Sequence, residues 1–157
     1  MTRVSLYVNG EKTSRDIPDN TLLSTFLREH LNLKGTHIGC DTSQCGACVV
    51  IVNGKTVKSC TMLALQVAGS RVETVESLCD NGKLHPMQRA FHEHHALQCG
   101  FCTPGMLMTA VAFAKKGKEI DDLSVRTELE GNLCRCTGYQ NIVAAILAGA
   151  QKMQTQK

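Results

Sequence analysis

The chain has 157 residues, room for one or two small domains; nine are cysteine, only 4% are aromatic and none is Trp. The formal net charge of +3 is spread, with eight Lys/Arg against eight Asp/Glu in residues 1–80 and nine against six beyond. That distribution lacks the dense basic stripe with interleaved aromatics of a nucleic-acid groove, so no nucleic-acid partner is expected. No stretch approaches the roughly 18 consecutive apolar residues of a membrane span. Met1 to Asn9 alternates apolar and polar residues instead of forming a secretory h-region. The expectation is a cytoplasmic protein, in which clustered cysteines bind metal more often than they pair as disulfides.

The first half reads as strands. Val4, Leu6 and Val8 alternate, Asn9-Gly10 signals a type I′ turn, and Thr13 to Ile17 returns antiparallel. Leu22, Leu23, Phe26, Leu27, His30 and Leu31 repeat at helical spacing, with cap candidates from Asp19 to Thr21. After a cysteine-rich loop, Cys48 to Val52 is β-branched. Asn53-Gly54 turns it into Thr56 to Ser59, and Arg71 to Val75 offers another short strand. The pattern predicts a small mixed sheet covered by one helix.

From Pro86 the period becomes 3.6. Met87, Ala90, Phe91, His94 and Leu97 share one face; Pro104 opens a second helix with Met106, Leu107, Ala110, Val111 and Ala114 in line. Asp121 is placed to cap a third helix ending at Gly131, and Ile142, Val143, Ile146, Leu147 and Ala150 mark a fourth. The reading is therefore α+β, with a sheet domain over residues 1–79 and a four-helix bundle over 80–157. Asp80 to Leu84 forms the linker.

Eight cysteines sort into two fours. Cys40-x4-Cys45-x2-Cys48, with Cys60 on the returning hairpin, is the plant-type [2Fe–2S] ferredoxin spacing. Three thiolates must converge from one tight loop, and Gly39 and Gly46 let that loop wrap closely and aim N–H groups at sulfur. In the second half Cys99-x2-Cys102 pairs with Cys134-x-Cys136, each element just ahead of a helix. Helix N-termini favour the net anion that four thiolates, two sulfides and two ferric ions make. A thioredoxin-type CxxC would need a βαβ setting, and a Rieske site two histidine ligands. Two zinc sites are chemically possible, although the x4 spacing fits zinc ribbons poorly. Cys79 is left over and reads as a small hydrophobe. His92, His94 and His95 do not share one helix face, so a three-histidine metal site is not expected. Met87, Met106 and Met108 read as packing. No phosphate loop suited to FAD, no GxSxG and no HExxH occurs.

Together, His37-Ile38-Gly39-Cys40 to Cys48 and Val57-Lys58-Ser59-Cys60-Thr61 resemble the N-terminal domain of molybdenum hydroxylase iron–sulfur subunits. Gln98-Cys99-Gly100-Phe101-Cys102-Thr103-Pro104-Gly105 and Gly131 to Tyr139 resemble their C-terminal domain. Within that family, Val57 to Met62 and Tyr139-Gln140-Asn141-Ile142 look most like the carbon monoxide dehydrogenase type. Val49, where many relatives have Thr, is a mild departure.

The resemblance implies a β-grasp ferredoxin-like domain and a four-helix bundle, each holding a [2Fe–2S] cluster. The implied ligands are Cys40, Cys45, Cys48 and Cys60, then Cys99, Cys102, Cys134 and Cys136. It further implies a large subunit carrying molybdopterin, a medium subunit carrying FAD, and a heterotrimer that assembles twice. Electrons would run from molybdenum through the helical-domain cluster and the ferredoxin-like cluster to the flavin. Gln98 and the backbone around Cys136 would contact the pterin. Such a chain is part of an oxidoreductase but not catalytic alone. The substrate class stays open among carbon monoxide, aldehydes and N-heteroaromatics. The alternatives are an independent ferredoxin-type carrier and a zinc-stabilised interaction module.

Overall fold

The structure is a computed structural model and describes residues 1–117 and 119–155. Strands β1 (Thr2–Val8) and β2 (Glu11–Ile17) pair antiparallel from Thr2↔Ile17 to Val8↔Glu11. Their turn has φ of 52° at Asn9 and 88° at Gly10, the left-handed pair that a type I′ hairpin requires. The helical segment that follows is irregular: α1 (Leu23–Thr25) runs directly into a π-helical turn, Phe26–His30. The expected side-chain cap is absent. Leu22 precedes the helix in extended conformation and bridges Leu63, while the Leu23 N–H bonds the Met62 carbonyl at 2.7 Å. A tertiary strand contact thus satisfies the helix start, and Thr21 Oγ1 donates instead to the Pro18 carbonyl.

Strands β3 (Val49–Val52), β4 (Lys55–Lys58) and β5 (Arg71–Glu73) complete a mixed sheet in the order β2-β1-β5-β3-β4. β5 lies parallel to β1 and antiparallel to β3. The predicted α+β fold with a β-grasp first half is present.

All four residues of β3 are buried. Side chains alternate along a strand, so Val50 and Val52 enter a core with Val4, Leu6, Phe26 and Leu27. Val49 and Ile51 enter a second core built mainly from the helical half. An uninterrupted β-branched run is what a strand covered on both faces needs. The sheet therefore has helices on two sides rather than the single covering helix expected from the pattern.

The helices are α2 (Pro86–Glu93), α3 (Thr103–Lys115), α4 (Asp122–Glu128) and α5 (Gln140–Thr155). From Gly105 to Ala114 every residue of α3 is buried, because α3 lies between the sheet and the other helices. Its one-faced apolar stripe therefore understates its burial. α2 stops earlier than expected: His94 is its C-cap and His95 has φ of 51°. Once the chain leaves the helix, His94 and Leu97 no longer follow its buried face, and both are exposed. Asp121 caps α4 as expected, accepting from the Ser124 N–H at 2.8 Å, and a 3-10 turn over Leu129–Gly131 follows the helix.

Beside the packing of α3 on β3, the two halves also meet backbone to backbone. A Cβ on Gly105, at the start of α3, would overlap the Gly46 carbonyl; a Cβ on Gly46, whose φ is 72°, would overlap the Gly131 carbonyl. The obstacles are backbone atoms, which cannot rotate away. Gly105→Ala is expected to destabilise the chain by about 1–3 kcal/mol, the usual range for overpacking. Urea unfolding measures this, and an unchanged midpoint would contradict so close a contact.

Candidate metal centres

The first set of thiols sits in a loop folded back by left-handed residues, Ser43 (φ 57°) and Gly46. The loop is tied to the β3–β4 hairpin. Lys58 Nζ donates to the Ser43 carbonyl at 2.5 Å and to the Gln44 carbonyl at 3.4 Å. Ser59 Oγ donates to the Cys48 carbonyl at 2.7 Å, which holds the 3-10 turn over Ser59–Thr61 against the loop. Cys60 lies in that turn, two residues beyond the hairpin strand on which it was expected. Its sulfur is 3.3 Å from Cys48 Sγ. The Cys45 N–H points at Cys40 Sγ at 3.5 Å.

That backbone donor, with the Cys45 thiol and the Thr42 and Gln44 N–H groups, lowers the Cys40 thiol to about 6 against the opposing effect of burial. Burial, then the Cys48 thiol and neighbouring thiolates, push Cys60 up to about 12; burial likewise raises Cys45. One thiol of the set is thus ready as a thiolate. Others need a cation to displace their protons.

The second set comes from the turn before α3 and the loop before α5. Cys99 and Cys136 are exposed with sulfurs 3.5 Å apart; Cys102 and Cys134 are half-buried. Burial, followed by the Cys134 thiol, lifts Cys102 to about 12. For Cys134 burial acts upward, but donors outweigh it and the net shift is down. Chief among them is the Thr137 hydroxyl at 3.1 Å, joined by the Thr137 and Cys136 N–H groups and the Cys102 thiol. Tyr139, with φ of 70°, turns its hydroxyl back to accept from the Cys134 N–H at 2.9 Å.

The thiols of each set associate in twos: Cys40 with Cys45, Cys48 with Cys60, Cys99 with Cys136 and Cys102 with Cys134. Among the described residues no three His, Cys, Asp or Glu groups form a single-ion site. Two pairs per set suit two irons, each taking two thiolates, better than one tetrahedral zinc. A cavity of about 200 Å³ is lined by all four cysteines of the second set together with Cys45, Gly39, Phe101 and Arg135. The donor sets therefore fit binuclear clusters.

Other residues singled out by sequence fall elsewhere. His92, His94 and His95 are all exposed, while Met87, Met106 and Met108 are buried as packing. Cys79 is exposed rather than packed as a small hydrophobe, because the turn at Asn81-Gly82 carries it outside both cores. His37 joins the halves: its Nδ1 is 2.8 Å from the Phe101 carbonyl oxygen and its ring stacks on Phe101 at 4.7 Å. Gln98 is exposed next to Cys99. Sequence reasoning assigned no role to Lys58, Thr137, Tyr139 or Asn132, since each acts through a backbone or sulfur partner that spacing does not reveal.

The thiol environments order the reactivity of the folded, cluster-free chain. At pH 7 the Cys40 thiol is above its titration point, and Cys60 and Cys102 are far below theirs. Limiting iodoacetamide with mass mapping is expected to label Cys40 well ahead of Cys60 and Cys102. Raising the pH narrows the difference as the latter deprotonate; labelling of Cys60 first would contradict the assignment.

The chain matches two family models: "2Fe-2S iron-sulfur cluster binding domain" over residues 6–84 and "[2Fe-2S] binding domain" over residues 74–147. It is 50% identical over 146 residues to the caffeine dehydrogenase subunit gamma of Pseudomonas sp. (strain CBB1), covering 91% of this chain and 87% of that one. A chain of quinoline 2-oxidoreductase from Pseudomonas putida 86 is similar, with a TM-score of 0.94 and 41% identity over 98% of this chain and 96% of that one. The aldehyde oxidoreductase of Desulfovibrio desulfuricans ATCC 27774 superposes at a TM-score of 0.94 and 38% identity, over all of this chain but 18% of that much longer one. With an iron–sulfur domain matched in each half and relatives of this identity along its length, the chain belongs to the family of small iron–sulfur subunits of molybdenum hydroxylases.

Proposed function

We propose that this chain is the electron-transfer subunit of a heterotrimeric molybdenum hydroxylase acting on an N-heteroaromatic compound. It would sit between a large molybdopterin-binding subunit and a medium FAD-binding subunit. Of the three substrate classes left open by sequence, this one is favoured because the caffeine and quinoline enzymes are more identical to the chain than the aldehyde enzyme. The proposed ligands are Cys40, Cys45, Cys48 and Cys60 in a unit over residues 1–79, and Cys99, Cys102, Cys134 and Cys136 in a unit over residues 80–157. When bound, the two [2Fe–2S] clusters supply one-electron carriers in series. The chain's own part is to hold them, donate hydrogen bonds to their sulfurs and exclude water.

The observation that carries this reading is an apolar rim beside the second set. Phe101 and Leu133 line the same cavity as its cysteines and are 48% and 53% exposed; Leu97, two residues before Cys99, is 40% exposed. Apolar surface beside exposed Cys99 and Cys136 suits a face covered by a partner, not a free-standing carrier. Gln98, exposed next to Cys99, and the Cys136 backbone would meet the pterin of the large subunit. Assembly as a dimer of heterotrimers and a cytoplasmic location complete the proposal. Nine free thiols suit a reducing compartment, and no described helix is long and apolar enough to cross a membrane.

One [2Fe–2S] group in each matched domain predicts four irons and four acid-labile sulfides per chain, and two distinct EPR species on reduction. Two or fewer irons, or zinc in a colourless protein, would overturn the reading. Cys99→Ser is expected to abolish one EPR species and stop flavin reduction by substrate in the assembled complex. Undiminished flavin reduction would exclude the second set from the route.

A further inference from the structure

Asn132 is a buried amide at the seam between the two cysteine sets, and nothing in the cluster chemistry itself requires it. Only 4% of it is exposed, and both ends of its amide are used. Nδ2 donates to the Gly46 carbonyl at 3.2 Å, and Oδ1 accepts from Thr109 Oγ1 at 3.0 Å. Gly46 follows Cys45 of the first set, and Asn132 stands two residues before Cys134 of the second. Thr109 belongs to α3, the helix that opens directly after Cys102. One side chain thereby fixes the first loop, the second loop and the helix between them.

The contact that Asn132 brackets joins the two sets. The Leu133 N–H donates to the Cys45 carbonyl at 2.8 Å. Cys45 supplies a thiol to the first set, and Leu133 is peptide-bonded to Cys134 of the second. From Cys45 Sγ to Cys134 Sγ the route is covalent except at this single hydrogen bond. Electronic coupling falls more slowly along covalent and hydrogen bonds than across a gap, and a short, straight hydrogen bond loses least.

Resting on the functional reading above, we propose that the Cys45 C=O···H–N Leu133 hydrogen bond is the electron bridge between the two clusters, and that Asn132 is the positioning residue that holds it. With clusters bound at both sets, each passage would oxidise the second by one electron and reduce the first by one. No bond is made or broken and no proton moves. The side-chain hydrogen bonds of Asn132 go to Thr109 and Gly46 and not to a cysteine sulfur. The residue acts by keeping the Gly46 and Leu133 segments in register.

The test uses the assembled complex with both centres loaded, comparing the parent with Asn132→Ala and Thr109→Val. Three quantities are read: the EPR spin–spin splitting between the reduced centres, the rate of electron redistribution between them after pulse reduction, and the midpoint potential of each. Asn132→Ala is expected to narrow the splitting and slow redistribution severalfold while leaving both potentials in place. Thr109→Val, which removes one of the two anchors in a nearly isosteric side chain, should produce a smaller change in the same direction. Unchanged splitting and rate overturn the proposal. So does a potential shift large enough to account for the slower rate, since that assigns Asn132 to tuning rather than positioning. If Asn132→Ala does not assemble, Thr109→Val decides by the same readings. A parent complex lacking two EPR species would instead refute the functional reading beneath the proposal, an outcome separate from an unchanged rate in a parent that has both.

Discussion

Everything in this molecule depends on how closely two pieces of backbone can approach. The loop through Cys45-Gly46-Ala47 lies against the turn at Gly131-Asn132-Leu133 and the first turn of α3, with no side chain at Gly46 or Gly105 to hold them apart. Such proximity would strand polar backbone groups in a dry interface. It does not, because the Gly46 carbonyl takes the Asn132 amide and the Cys45 carbonyl takes the Leu133 N–H. Buried polar groups that are fully paired specify one arrangement, whereas a half-paired seam would cost more than an apolar one. Two cysteine sets that could have belonged to separate modules are thereby fixed to each other.

Strand β3 reinforces the same union from the apolar side. Its residues are divided between two cores, so removing either half of the chain would expose two of its four side chains. The electrostatics of the thiols follow from this frame. Loop N–H groups hold Cys40 down, and Thr137 does the same for Cys134, whereas burial lifts Cys60 and Cys102. Each set therefore combines a thiol held below its usual range with one that burial lifts and that yields its proton only to a strong cation.

Much of this was legible in the chain. Val4, Leu6 and Val8 with Asn9-Gly10 specify the first hairpin through local alternation and turn chemistry, and Asp121 with Ser124 specifies a helix start. The cysteine spacings pointed to two sets of four, and the thiols associate within those sets. The failures share a cause. The cap of α1, the early end of α2, the all-round burial of α3 and the exposure of Cys79 are decided by contacts with distant segments. Leu22 meets Leu63, and α3 lies beneath the sheet; no local window carries that information.

The sequence by itself determined which cysteines belong together, the order of strands and helices, and the kind of cofactor such thiols suit, because these depend on spacing, periodicity and ligand chemistry. Only the tertiary structure decided how the two sets are held against each other. The Cys45–Leu133 and Gly46–Asn132 hydrogen bonds join residues 88 and 86 positions apart. Their pairing exists only once Gly46 and Gly105 have let the backbones meet.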